Sequence, residues 1–175
     1  MGTAKQPKRV KLIASIFSAD PAQIDRAQAA LEARFGSVDF VSELLPFDHT
    51  DYYEPEFGAS ILRRIVAFER LVDPGDLPDV KLATNAMEAE MSAGSSRAVN
   101  IDPGYVGEGK MILATTKDHR NRIYLGKGIY GEVTLYYHQG GFHAWEWTYA
   151  DYASPRFCDI FTRIRARYRE QLRRL

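Results

Sequence analysis

The sequence predicts an α+β fold, with a ferredoxin-like βαββαβ order extended by further antiparallel strands and a C-terminal helix. Three observations predict it. Short β-rich runs, beginning with Val10–Phe17, alternate with two amphipathic helical stretches over the first hundred residues. From Met111 onward the pattern changes to strands joined by Gly-rich turns. A last stretch from Pro155 carries helical periodicity to the end of the chain.

Each element has a local cause. Residues 1–7 read as a polar, disordered tail, and residues 8–175 as one domain with no linker inside it. VKLIASIF is nearly continuous in apolar residues, as in a strand buried on both faces. Asp20 is a helix N-cap, with Pro21 at the first helical position and Gln23 completing a capping box. Ile24, Ala27, Leu31 and Phe35 then repeat on one face until Gly36. Val38–Leu45 is a second strand and Leu62–Val72 a third, turned sharply by Asp73, Pro74 and Gly75. A second helix starts near Pro78, with Val80, Ala83, Met87 and Met91 aligned. Ala98–Ile101 is a short strand, and Asp102, Pro103 and Gly104 suggest a turn. Met111–Thr115, Arg122–Leu125 and Ile129–His138 are strands, and Gln139–Gly141 is a hairpin turn before Phe142–Thr148. Ser154 caps the last helix, whose stripe is Phe157, Ile160, Phe161, Ile164, Tyr168 and Leu172.

Composition excludes several function classes. The 23 lysines and arginines balance 23 aspartates and glutamates, so no global charge points to nucleic acid or membrane. One cysteine, Cys158, rules out an internal disulfide and any multi-cysteine zinc site. No apolar run approaches the roughly 18 residues of a spanning helix, so the expectation is a soluble cytoplasmic protein without a membrane partner.

The chemistry-bearing residues cluster in the middle of the chain. Gly104–Lys110 (GYVGEGK) has the G-x-x-x-x-G-K spacing of a phosphate-binding loop. Met111 stands where magnesium needs a hydroxyl, and MILATT favours a strand where the motif needs a helix, so a glycine-rich turn is the better reading. Thr116, Lys117 and Asp118 approximate a guanine-reading element, but its Lys and Asp are here adjacent. Asp48 and Asp51, in the acidic and aromatic stretch 47–60, are the candidate ligands for a divalent metal. Charged residues inside β-rich runs break local propensity, which happens at functional sites. A polar cleft is therefore expected, taking a small anionic ligand of phosphate or nucleotide type, with possible metal assistance. Lys110, Lys117, Arg122, Tyr105, Arg64 and Thr115 would hold the ligand, while Asp102, Asp118 and Glu132 would act as acid or base. Tyr130, Glu132, Thr134, Tyr136 and His138 would share one face of a strand lining it. The alternative is a non-catalytic module that binds RNA or protein through an open sheet face or the arginine-rich last helix. Whether the protein is an enzyme, and its oligomeric state, stay open.

Several phrases also resemble one family. VNIDPGYV, KMILATTKDH and RIYLGKGIYGEVTLY are similar to the prokaryotic family called domain of unknown function 4416, as are SADP, ARFG, PFDHTDYYEPEFG and FERLVDP upstream. The likeness runs from about residue 8 to 172. Some members carry an automatic GTP-binding label. The resemblance implies the family, and no established activity comes with it.

Overall fold

The structure, a computed structural model, describes residues 2–47, 60–92 and 97–174. Strand β1 (Val10–Ser18) lies in the interior of a nine-stranded sheet. Around it run α1 (Pro21–Phe35), β2 (Val38–Val41), β3 (Leu45–Pro46), β4 (Leu62–Val72), α2 (Leu77–Met91) and β5 (Asn100–Val106). Then come β6 (Lys110–Thr115), β7 (Arg122–Gly126), β8 (Ile129–His138), β9 (Gly141–Ala144) and α3 (Pro155–Leu172). The strand order is β2-β4-β1-β5-β6-β8-β7, with β3 on β4 and β9 on β8, and every pairing is antiparallel. The fold is α+β.

All nine residues of β1 are buried because both its faces are covered. On one face Leu12, Ala14 and Ile16 pack with Ile24, Ala27 and Leu31 of α1 and Val80 and Met91 of α2. On the other, Ile13, Ile65, Val106, Met111 and Leu135 meet Phe157, Ile160, Phe161 and Ile164 of α3. Burying each such α3 side chain is worth about 1.5–3 kcal/mol before conformational entropy is subtracted. The open sheet face expected for an interaction module is thus closed where α3 lies. The arginines of α3 are likewise engaged. Arg163 and Arg167 sit over the Phe40 ring, Arg165 over Tyr137, and Arg156 pairs with Glu43 at 2.6 Å.

Local chemistry explains most element ends. Asp20 accepts from Ala22 N, which leaves Gln23 outside the cap and the expected capping box unformed. Ser154 accepts from Phe157 N, with Pro155 opening α3. Gln139 and Gly140 both have positive φ (47° and 91°), the pair of left-handed residues that a two-residue hairpin between β8 and β9 needs. Other expectations fail too, and the return strand expected over Phe142–Thr148 ends at Ala144. The second strand stops at Val41, and Leu45–Pro46 pairs separately. Asp102, Pro103 and Gly104 make no turn; they lie within β5 opposite Ser15, Ala14 and Ile13.

A bulge in β8 also divides the face expected from simple alternation. Val133 faces Ile112 and Leu135 faces Met111, so Thr134 is an extra residue. Tyr130 and Glu132 therefore lie on the α3 side of the sheet, and Tyr136 and His138 on the other.

Candidate functional site

The site begins where two strands part. β5 and β6 pair only through Gly104–Leu113, Tyr105–Ile112 and Val106–Met111. At Gly104 the strands approach so closely that a Cβ would stand 2.2 Å from the Ile112 carbonyl oxygen. One residue earlier, Pro103 has no N–H to offer β6, and the ladder ends. Farther along, Ile101 turns its backbone groups to α2. Its N–H donates to Glu88 Oε1 (2.6 Å), and its carbonyl accepts from Lys81 Nζ (3.1 Å). Two charged side chains thus replace a missing strand partner, and the sheet opens into a cleft of about 830 Å³.

Asp102 faces this cleft on the α3 side. It lies 3.4 Å from Lys81 Nζ and accepts from Asn100 Nδ2 at 2.9 Å. Across the gap, Glu132 of β8 is buried beside Arg122 of β7, its direct cross-strand neighbour, with Arg122 Nε donating at 2.9 Å. Arg122 Nη1 also donates to the Lys117 carbonyl at 3.0 Å, and Thr115 Oγ1 accepts from Lys117 N at 3.2 Å. The third wall holds Arg63 of β4 and the segment Tyr149–Tyr152 ahead of α3. Arg63 Nη1 donates to Asp151, and its guanidinium lies 4.1 Å from the Phe47 ring centre.

Electrostatically the cleft is a set of coupled pairs. Glu88, Asp102, Glu132 and Asp151 face Arg97, Lys81, Arg122 and Arg63 respectively. Lys117 also lines the cleft. Burial pushes Glu88 above its ordinary value, against the pull of Lys81 and the Ile101 N–H. Phe47, Tyr149 and Tyr152 supply aromatic surface on one side.

Five residues expected at a site do meet here: Asp102, Glu132, Lys117, Arg122 and Thr115. Four do not. Asp118 is exposed beyond β6 and lines no part of the cleft. Lys110 and Tyr105 lie toward the far end of the β5–β6 hairpin, where Gly107 N donates to the Lys110 carbonyl. Lys110 opens a strand, so Gly104–Lys110 is a hairpin without the helix N-terminus that a phosphate loop uses. Arg64 points to the opposite face and donates to Asp25 (2.6 Å) and Gln28 (3.0 Å) of α1. Asp48 and Asp51 fall outside the described residues. Among the described residues no three His, Cys, Asp or Glu side chains gather as a metal site. His138 and His143 are neighbours across their hairpin, with ring centres 6.3 Å apart.

Sequence reasoning missed Arg63, Lys81, Glu88, Asn100, Asp151 and Tyr152. One signal was available: Lys81, Thr84 and Glu88 recur at three- and four-residue spacing along α2, and all three are buried. For Arg63 there was none, since either member of an Arg-Arg pair in a strand can be the inward one.

Among the described residues no helix is long and apolar enough to cross a membrane. Neither the curated proteins nor the solved structures contain a match to the chain. Residues 8–168 match the profile of the family described as "Domain of unknown function (DUF4416)". That span takes in all three walls of the cleft and nearly all of α3, so by sequence the chain belongs to this family.

Proposed function

We propose that the cleft binds a small anionic ligand of phosphate or nucleotide type. The observation that carries this reading is that Arg63, Lys81, Arg97, Lys117 and Arg122, from separate parts of the chain, line one concavity. A scaffold of ion pairs would gain nothing from an opening of this size, which lies in the range of small-molecule sites. The aromatic wall suits a ring on the ligand, and Asp102, a third exposed, suits its hydroxyl or amine groups. Asp102 and Glu132 are the groups that would move a proton if a reaction occurs. A metal would need ligands beyond those described. No observation favours RNA or protein docking on α3, whose arginines are held against Phe40, Tyr137 and Glu43.

Thermal-shift screening with inorganic phosphate, pyrophosphate and nucleoside phosphates tests the proposal. At least one should raise Tm by several degrees, and Lys81→Met or Lys117→Ala should abolish the shift. Identical shifts in wild type and both variants would remove the cleft from the binding event.

A further inference from the structure

One margin of the sheet carries a surface that the cleft does not account for. β7 pairs with β8 on one side, and among the described residues no strand pairs with its other side. Three consecutive large apolar residues are exposed there: Ile123 by 70%, Tyr124 by 59% and Leu125 by 40%. Free N–H and C=O groups on an edge invite another chain, so folded proteins blunt such edges with charge or cover them. The other margins of this sheet obey that rule. β2, at the opposite end, exposes one large apolar residue, Val41. β9 is packed against α3, and its Phe142 N–H donates to Thr162 Oγ1 at 3.2 Å.

The two faces of β7 differ. Ile123 stands opposite Gly131 of β8. A bulge then sets Gly126, not Leu125, opposite Ile129. Leu125 instead lies over Gly131, where an added Cβ would stand 2.9 Å from Leu125 Cδ1. Ile123 and Leu125 thus share the α2 side of the sheet. Leu82 of α2, also exposed, sits one turn beyond Asp79, which holds Lys127 just past β7 at 2.5 Å. Tyr124 stands opposite Tyr130 on the other face, with ring centres 5.3 Å apart.

We infer that β7 is the surface through which two copies of this chain associate, its edge pairing antiparallel with the same edge of the second copy about a two-fold axis at Tyr124. Size and charge favour this partner and this register. A two-fold axis normal to the sheet maps each face onto itself, so a residue meets itself or one an even number of positions away. With Tyr124 on the axis, Ile123 meets Leu125 and Arg122 meets Gly126. Arg122 already holds Glu132, and Lys127, held by Asp79, meets the neutral Asn121. No like charges face each other. With Ile123 on the axis, Arg122 would meet Tyr124; with Leu125 on it, Ile123 would meet Lys127. The interface is small, so association is weak and depends on concentration. It is independent of what the cleft binds.

Sedimentation velocity of the full chain over a wide concentration range tests the dimer. Wild type should pass from monomer to dimer as concentration rises, and amide hydrogen exchange over Ile123–Leu125 should slow in step. Ile123→Lys combined with Leu125→Lys sets like charges opposite each other and should weaken the dimer by about tenfold or more. Ile123→Lys combined with Leu125→Glu makes opposite-charge pairs in this register alone, and should dimerise about tenfold more tightly than the double-lysine chain. Both chains should still unfold cooperatively in urea, because the changes are at exposed positions. A wild type that stays monomeric, with exchange unaffected by concentration, overturns the dimer and leaves the edge to an extended segment of another protein. A double-lysine chain that dimerises like wild type removes β7 from the contact. A Lys/Glu chain no tighter than the double-lysine one overturns pairing about Tyr124. Should either variant fail to fold, the exchange measurement on wild type decides.

Discussion

Two buried cations lie on the α3 side of the sheet, toward opposite ends of that helix, and the fold treats them differently. Lys11, fully buried, donates to Asp39 (2.7 Å), the Phe68 carbonyl (2.9 Å) and Gln171 (2.8 Å). All three of its hydrogens are used, tying β1, β2, β4 and the end of α3 together. Burial pushes its ammonium group down, and Asp39 opposes that shift. Arg63 is almost as deeply buried beside the start of α3, yet its Nε has no partner, and an open cleft adjoins it. A buried charge with every donor met is scaffold. A buried charge with a donor left over beside a cavity is not explained by scaffolding alone.

The largest expected effect breaks the comparison at the Lys11 end. Lys11→Met removes three hydrogen bonds and strands part of the Asp39 charge. Unfolding free energy should fall by about 2–3 kcal/mol, less than for a fully buried pair because Asp39 is partly exposed. Phosphate affinity should stay within about twofold. A variant as stable as wild type in urea would show that Lys11 does not hold these elements together.

A smaller effect sharpens the Arg63 end. Arg63→Lys keeps a charge for Asp151 but loses Nε and the planar stack on Phe47. Phosphate binding should weaken about tenfold, with a stability loss of about 1–2 kcal/mol. Full retention of affinity by calorimetry would mean that no fork geometry is needed there.

The smallest effect concerns Glu88, the carboxyl that meets the Ile101 N–H. Its proton is held more tightly in the folded chain than in the unfolded one. Stability from this group is therefore greatest below the ordinary value of 4.5 and declines as pH rises past it. Glu88→Gln keeps an acceptor for Ile101 and should flatten that decline. An unaltered slope of unfolding free energy between pH 4.5 and neutrality would place the titration elsewhere.

The two ends also differ in how far the sequence announces them. The stripe Phe157, Ile160, Phe161, Ile164 and Tyr168 is readable from periodicity, and all five side chains are buried. Asp102, Lys117, Arg122 and Glu132 are conspicuous as charges within β-rich runs, and they do line one cleft. Arg64 is equally conspicuous and belongs to another surface, while its neighbour Arg63 is the one that turns inward. The triplet Asp102–Pro103–Gly104 marks a special place, but its residue types fit both a tight turn and the end of a strand ladder.

Local chemistry alone determined the helix caps at Asp20 and Ser154, the β8–β9 turn, the apolar stripes of α1 and α3 and the α+β class, because each depends on residues a few positions apart. Tertiary structure alone decided which of two adjacent arginines faces the interior, that Lys81 and Glu88 stand in for a strand, and that Ser15 and Tyr152 come within hydrogen-bonding reach. These outcomes join residues up to 137 positions apart in the chain (Ser15 to Tyr152). A strand's alternation specifies two faces but not which is buried, and that choice is made only when β4, β5, α2 and the segment before α3 pack together.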